Sequence, residues 1–137
     1  MVGYITSTDS SITVTNSAGN IDLSVASGGG LTWSNISASQ TLAVDNGYFC
    51  SSGGALSLAL PAVSAVGKII EVVLIGSTSF TITQSAGQQI IIGNRQSTAG
   101  AGGSIASTQQ GDAIRIVCQT ANLTWVATSS MGNLTVV

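Results

Sequence analysis

The 137-residue chain contains no histidine, three basic residues (Lys68, Arg95, Arg115) and five acidic ones (Asp9, Asp22, Asp45, Glu71, Asp112). Charged residues make up 6% of it, against about 25% in an ordinary soluble domain. Each shortage closes a class of function. Without histidine there is no imidazole for general acid–base chemistry, and a zinc site lacks its usual ligands. Three scattered cations cannot neutralise a phosphate backbone, so nucleic acid is not a partner. The longest apolar stretch, Ile69 to Ile75, is interrupted by Glu71, far short of the roughly 18 residues of a membrane helix. Only one proline, Pro61, and six aromatic residues (Tyr4, Trp33, Tyr48, Phe49, Phe80, Trp125) are present.

Hydrophobic residues, in contrast, make up 44% of the chain, and its mean hydropathy is +0.48. That excludes a disordered chain. Ser, Thr, Asn, Gln and Gly must cover most of the surface. Such a surface suits a protein that buries much of itself in an oligomer or works outside the cell, because monomer solubility normally leans on charge. The start, Met1-Val2-Gly3-Tyr4, has neither the basic region nor the apolar core of a signal peptide. The expectation is a fragment, or a protein released by lysis or as part of a particle. Cys50 and Cys118 allow at most one disulfide. Both sit in apolar, strand-like segments, where buried free thiols are the plainer reading and a bridge the other.

No segment reads as a helix. Apolar residues alternate with Ser and Thr at period two, and Gly and Asn punctuate the pattern about every ten residues, as in sandwiches and barrels. Ser11-Ile12-Thr13-Val14-Thr15 and Ile21-Asp22-Leu23-Ser24-Val25 alternate across a turn at residues 16–20, ahead of Gly28-Gly29-Gly30. One such hairpin cannot fold alone, so residues 1–30 are expected to be a shaft segment whose strands wrap with neighbouring chains. Residues 31–137 carry the core. Asn46-Gly47 is a hairpin signal, and 68–75 reads as a central strand apolar on both faces apart from Glu71. Segments 113–119 and 124–129 read as a last hairpin. Eight or nine strands are expected.

The order of short motifs then matters: Thr32-Trp33, Ser39-Gln40-Thr41, Asn46-Gly47-Tyr48, Leu58-Ala59-Leu60-Pro61-Ala62, Ala65-Val66-Gly67, Ile82-Thr83-Gln84-Ser85-Ala86-Gly87-Gln88, Gly100-Ala101-Gly102-Gly103-Ser104, Asp112-Ala113, Val117-Cys118, Trp125-Val126 and Gly132-Asn133-Leu134-Thr135-Val136-Val137. Over residues 31–137 this order resembles the C-terminal β-structured tip or knob module of trimeric phage-like tail fibres and related bacterial or viral surface fibre proteins. The leader is similar to the repeats of triple-stranded fibre shafts. The resemblance implies a homotrimeric fibre tip at a virion, injection-system or cell surface. It supplies no ligand and no catalytic residues.

Paired carboxylates of the kind that cleave glycans are not visible among five acids spread along the chain. Asp45 and Asp112 sit at turn positions, and Glu71 with Arg115 or Lys68 reads as an ion pair. Gly100-Ala101-Gly102-Gly103 lacks the Gly-Lys-Ser/Thr ending of a phosphate loop and reads as a flexible tip loop. With Asn94, Arg95 and Gln96 it forms the candidate receptor-binding set (Asn94, Arg95, Gln96, Gly100, Gly102, Gly103), in which Arg95 flanked by amides suits sugar hydroxyls or an acidic glycan. Trp33 and Trp125 read as core residues. The expected protein is an all-β, non-enzymatic molecule: a shaft at 1–30 and, at 31–137, an antiparallel jelly-roll-like sandwich. It forms a homotrimer and attaches to a cell-surface receptor such as a glycan, with no cofactor, metal, nucleic acid or membrane insertion. The alternatives are a monomeric or dimeric lectin-like module and a ligand-free trimerisation cap.

Overall fold

A computed structural model describes the backbone of residues 12–17 and 20–25 and the whole of residues 30–137. The chain divides into two compact units, Met1–Gly30 and Leu31–Val137. In the first, β1 (Ile12–Ser17) pairs antiparallel with β2 (Asn20–Val25), Ile12 opposite Val25 and Val14 opposite Leu23. Directly opposed residues share a face, so the alternation places positions 12, 14, 21, 23 and 25 together. The other leader residues, including most of the expected Gly28-Gly29-Gly30 hinge, lie outside the described residues, as does any wrapping with neighbouring chains.

The second unit is all-β. Its strands are β3 (Thr32–Ile36), β4 (Gln40–Thr41), β5 (Asn46–Cys50), β6 (Leu56–Ala59), β7 (Ile69–Leu74), β8 (Phe80–Thr83), β9 (Gln89–Ile92), β10 (Arg95–Gln96), β11 (Ser104–Ala106), β12 (Ala113–Thr120), β13 (Thr124–Met131) and β14 (Thr135–Val136). They form a seven-stranded sheet, β10-β9-β13-β12-β7-β5-β3, and a five-stranded sheet, β14-β11-β8-β6-β4. Twelve strands exceed the eight or nine expected because four have only two or three residues, too short to leave a periodic trace in sequence. Three of these, β4, β10 and β14, are edge strands, and short edges offer little template for sheet-to-sheet growth.

The expected antiparallel jelly roll is not the topology found. From β3 to β8 the chain alternates between the two sheets. The strands it lays down run parallel to their predecessors: β3, β5 and β7 in one sheet, β4, β6 and β8 in the other. This is the path of a flattened coil. Within this unit, antiparallel pairing is confined to β7–β12–β13, to β9–β10 and to β8–β11–β14. Asn46-Gly47 marks the crossing between sheets rather than a hairpin: Asp45 takes φ 59° and sends the chain from β4 in one sheet to β5 in the other. The expected hairpin at 113–129 is present as β12–β13, with Asn122 at φ 63° in its turn. β7 lies centrally, between β12 and β5.

Alternation builds the core. In β7, Ile70, Val72 and Leu74 are buried while Ile69, Glu71 and Val73 point outward. Facing side chains from the five-stranded sheet are Leu56, Leu58, Phe80, Ile82 and Ile105, and they join Ile114, Ile116, Cys118, Ile90 and Trp125 in one cluster. Each fully buried aliphatic or aromatic side chain contributes about 1.5–3 kcal/mol, which makes this cluster the dominant stabilising term. Trp125 is wholly buried as expected, but Trp33 is not a core residue. It is 42% exposed and stacks on Phe49, ring centroids 4.5 Å apart. Trp33 lies on the edge strand and faces outward, where no sheet covers it. Gly47 permits the stack, because a Cβ there would overlap the Trp33 ring.

Candidate functional site

Loops close the two ends of the second unit, and backbone hydrogen bonds show which loops share an end. Thr32 N donates to Asp45 O (3.1 Å), Asp45 N to Ile69 O (2.6 Å), Gly67 N to Cys118 O (2.8 Å), Asn122 N to Ser64 O (3.0 Å) and Gln89 N to Leu123 O (2.9 Å). Gly100 N donates to Gln88 O (2.7 Å) and Thr98 N to Val137 O (2.9 Å). This near end therefore gathers the first strand after Leu31 and the last residue, Val137. Val63, Val66 and Leu123 are exposed on its loops.

The predicted binding set lies along the flank that leads to this end. Asn94 is exposed in the β9–β10 turn, beside Gly93, and Arg95 and Gln96 are the exposed two-residue edge strand β10. Arg95 Nη1 reaches Leu134 O at 3.5 Å, across to the segment that precedes β14. Gly102 is exposed, Gly100 half-buried and Gly103 buried. The two groups are neighbours because Ser97 and Thr98 connect them.

The glycine loop differs from the expected loose tip. Gln84 lies beneath it, and its Nε2 donates to Gln88 O (2.8 Å), Thr98 O (2.9 Å) and Gly100 O (3.1 Å). Ser97 Oγ donates to Gln84 Oε1 and accepts from Ile90 N (2.8 Å). Gln88 Oε1 accepts from Ser85 N (2.8 Å), and its Nε2 donates to Pro61 O (2.8 Å). A Cβ at Gly103 would overlap Thr98 O and the Gln84 amide, so this glycine is required by close approach. Gln84, Gln88 and Ser97 are buried, and buried amides persist only when they are satisfied. Sequence reading passed over this network. Its one local signal is two glutamines four residues apart around a Ser-Ala-Gly turn.

The far end has a different chemistry. Residues 37–39, 51–55, 75–79, 107–111 and 131–133 close it, rich in Ser, Thr, Gln, Asn and Gly. Ser51 N donates to Ile36 O (2.9 Å), Gly76 N to Cys50 O (2.8 Å) and Gly111 N to Leu74 O (2.9 Å). Thr78 Oγ1 lies 2.8 Å from Gly54 O and Gln110 Nε2 2.7 Å from Ile75 O. Asp112 organises this end. Its carboxylate is buried and accepts from Thr108 N (2.7 Å), Gln109 N (3.2 Å), Asn133 N (3.1 Å) and Thr108 Oγ1 (3.2 Å). Burial raises its pKa, but these four donors outweigh burial and leave it below the ordinary carboxylate value. Asp112 is therefore a structural clamp, fully engaged by local donors.

Two ion pairs are present among the described residues. Lys68 Nζ donates to Asp45 Oδ2 at 2.6 Å, and this bond holds Asp45 below its usual pKa. Arg115 and Glu71 are cross-strand neighbours 3.7 Å apart. Cys50 and Cys118 are free and buried, and burial pushes the Cys50 thiol up to about 11. That makes it a poor nucleophile. Among the described residues no three His, Cys, Asp or Glu side chains come together as a metal site. The chain matches no protein-family model and no curated protein.

Proposed function

We propose that this chain is the receptor-binding end of a homotrimeric fibre of the tail-fibre kind, displayed on a particle or outside the cell, where it attaches to a target-cell surface. The observation that carries the reading is the chemical polarity of the second unit. Thr32 and Val137 both lie at its near end, while the five loops of the far end are rich in hydroxyls and amides, with Ile75 and Met131 exposed among them and two of the loops tied together by Asp112. The chain enters this unit at its near end, and we take the far end as the one that meets a surface. Hydroxyls and amides both donate and accept hydrogen bonds, as sugar hydroxyls do, and uncharged loops suit a neutral glycan. Three copies of a weak loop set give avidity without a deep pocket. Arg95 with Asn94 and Gln96 forms a second contact on the flank.

The lectin-like alternative has one observation in its favour: an exposed Trp33 stacked on Phe49 is a platform on which a sugar ring could lie. Native mass spectrometry of the full chain separates the readings. Three copies of 13.6 kDa are expected at micromolar concentration, and a lone copy overturns the fibre reading. On a glycan array and on intact cells, Gln110→Ala and Ser77→Ala should weaken binding by the trimer more than Arg95→Ala does. A trimer that binds neither surface is a ligand-free cap.

A further inference from the structure

Residues 132–134 carry the chain from β13 in the seven-stranded sheet to β14 at the edge of the five-stranded sheet. Each residue of this strap has its own anchor. Gly132 takes φ 80° and lies so close to Asp112 that a Cβ would overlap Oδ1 of the carboxylate. Asn133 N donates to Asp112 Oδ1 (3.1 Å), and Asn133 O accepts from Thr108 Oγ1 (2.7 Å). Leu134 is buried in the core cluster, and its carbonyl meets Arg95 Nη1 at 3.5 Å. The strap thus touches both the loop at 107–111 and the flank of Asn94, Arg95 and Gln96. We propose that Asp112 is a positioning residue that latches this strap, so that the far-end loops and the flank form one contact surface. The inference rests on the receptor-binding reading and adds what keeps that surface in shape.

The carboxylate divides its oxygens between two loops. Oδ2 accepts from Thr108 N (2.7 Å) and Gln109 N (3.2 Å), and Oδ1 accepts from Asn133 N. Both loops therefore present backbone N–H groups to one buried side chain, and both need an acceptor there. A carboxylate accepts at both oxygens, whereas an amide accepts at one end and donates at the other. Asparagine at this position would set its NH2 against the N–H of one loop. The Thr108 side offers two backbone donors and the strap one, so the amide oxygen stays with Thr108 and Gln109 and the strap is the loop released. The backbone of Asp112 does not follow the strap. Its N donates to Gln109 O (3.2 Å), its O accepts from Leu74 N (2.9 Å), and the preceding Gly111 N donates to Leu74 O (2.9 Å). Among the described residues, Arg95 is the other charged side chain that reaches the strap. Its contact is longer than an ordinary hydrogen bond, which leaves Asp112 as the stronger polar anchor.

The test uses the full chain and reads motion within the native state, which a change in global stability does not alter. Backbone amide relaxation by NMR should give Gly132 and Asn133 of the wild type order parameters of about 0.85, the value of rigid backbone. In Asp112→Asn both should fall below about 0.6, while Thr108 and Gln109 stay rigid. Thr108→Val removes an exposed hydroxyl that bridges to the strap, and it should lower the same two order parameters by less. Thr108→Ser keeps the hydroxyl and should match the wild type. On intact cells that the wild type binds, Asp112→Asn should bind about tenfold or more weakly and Thr108→Ser as well as the wild type. Unchanged order at Gly132 and Asn133 in Asp112→Asn overturns the inference, as does an equal loss at Thr108 and Gln109 or cell binding at wild-type strength. Should Asp112→Asn fail to fold, Thr108→Val decides, and a strap that stays rigid there overturns the latch. A wild type that binds no cell overturns the receptor reading, and the relaxation data still decide the latch.

Discussion

The two sheets turn opposite chemistries outward although both are built from the same apolar–polar alternation. On the five-stranded sheet the outward rows are Thr41, Ala59, Thr83 and Ser104, then Ser57, Thr81, Ala106 and Thr135. Every one is a small or hydroxyl-bearing residue, as a sheet facing water on one side requires. On the seven-stranded sheet the corresponding positions are largely Ile, Val, Phe and Trp, around a single ion pair. The inner faces do not differ in kind, since both supply aliphatic and aromatic side chains to one cluster. The lesson is that burial between the sheets accounts for only half of the strong apolar content of β7, β9, β12 and β13. The other half lies on a surface that the second unit does not cover by itself.

Substitutions can break or sharpen this contrast. The largest expected effect is at an inner position: Phe80→Ala empties the space between the sheets and should cost about 3–5 kcal/mol in urea unfolding. A loss below about 1 kcal/mol would show that the inner faces are not the dominant stabilising layer. Asp112→Asn comes next. It removes charge-assisted acceptance from three backbone N–H groups and should cost about 2–3 kcal/mol at neutral pH. Folding lowers the pKa of Asp112 from 3.8. Its stabilisation is thus complete above that value and lost as pH falls through the lower folded-state pKa. Melting temperature measured down an acid series should fall for the wild type in this window and fall less for Asp112→Asn. Asp45 contributes in the same direction through Lys68. A smaller effect should follow from making the two outer faces alike. Thr81→Val with Thr83→Val gives the five-stranded sheet an apolar outward patch, and light scattering should then report association beyond the native assembly with little change in melting temperature.

Much of this architecture was legible in advance. The alternation in β6 to β9 and in β12 and β13 announced strands of about the right length, and the centrality of β7 followed from a run that is apolar on both faces. The Glu71–Arg115 pair was also readable, because two isolated charges in apolar strands need partners. Lys68 was harder. It pairs with Asp45, 23 residues away, because parallel β5 and β7 bring the starts of both strands together. Asn46-Gly47 looked like a hairpin because the local preference for positive φ is the same whether the chain doubles back or crosses to the other sheet. Within the candidate site, the exposure of Asn94, Arg95, Gln96 and Gly102 agrees with a loop composition. The Gln84–Ser97 network and the Asp112 clamp join residues that no short window contains.

The sequence by itself determined that the described residues form strands and no helix, with apolar side chains alternating along most of them, because a period of two in hydropathy suits extended backbone. It also determined that few charges are available to the fold. Only the tertiary structure decided that the strands coil in parallel between two sheets, that Trp33 faces water while Trp125 does not, and that the second apolar rows of β7, β9, β12 and β13 align into one outward surface. Strand direction and order depend on which distant segments pair, and alternation is identical for parallel and antiparallel neighbours.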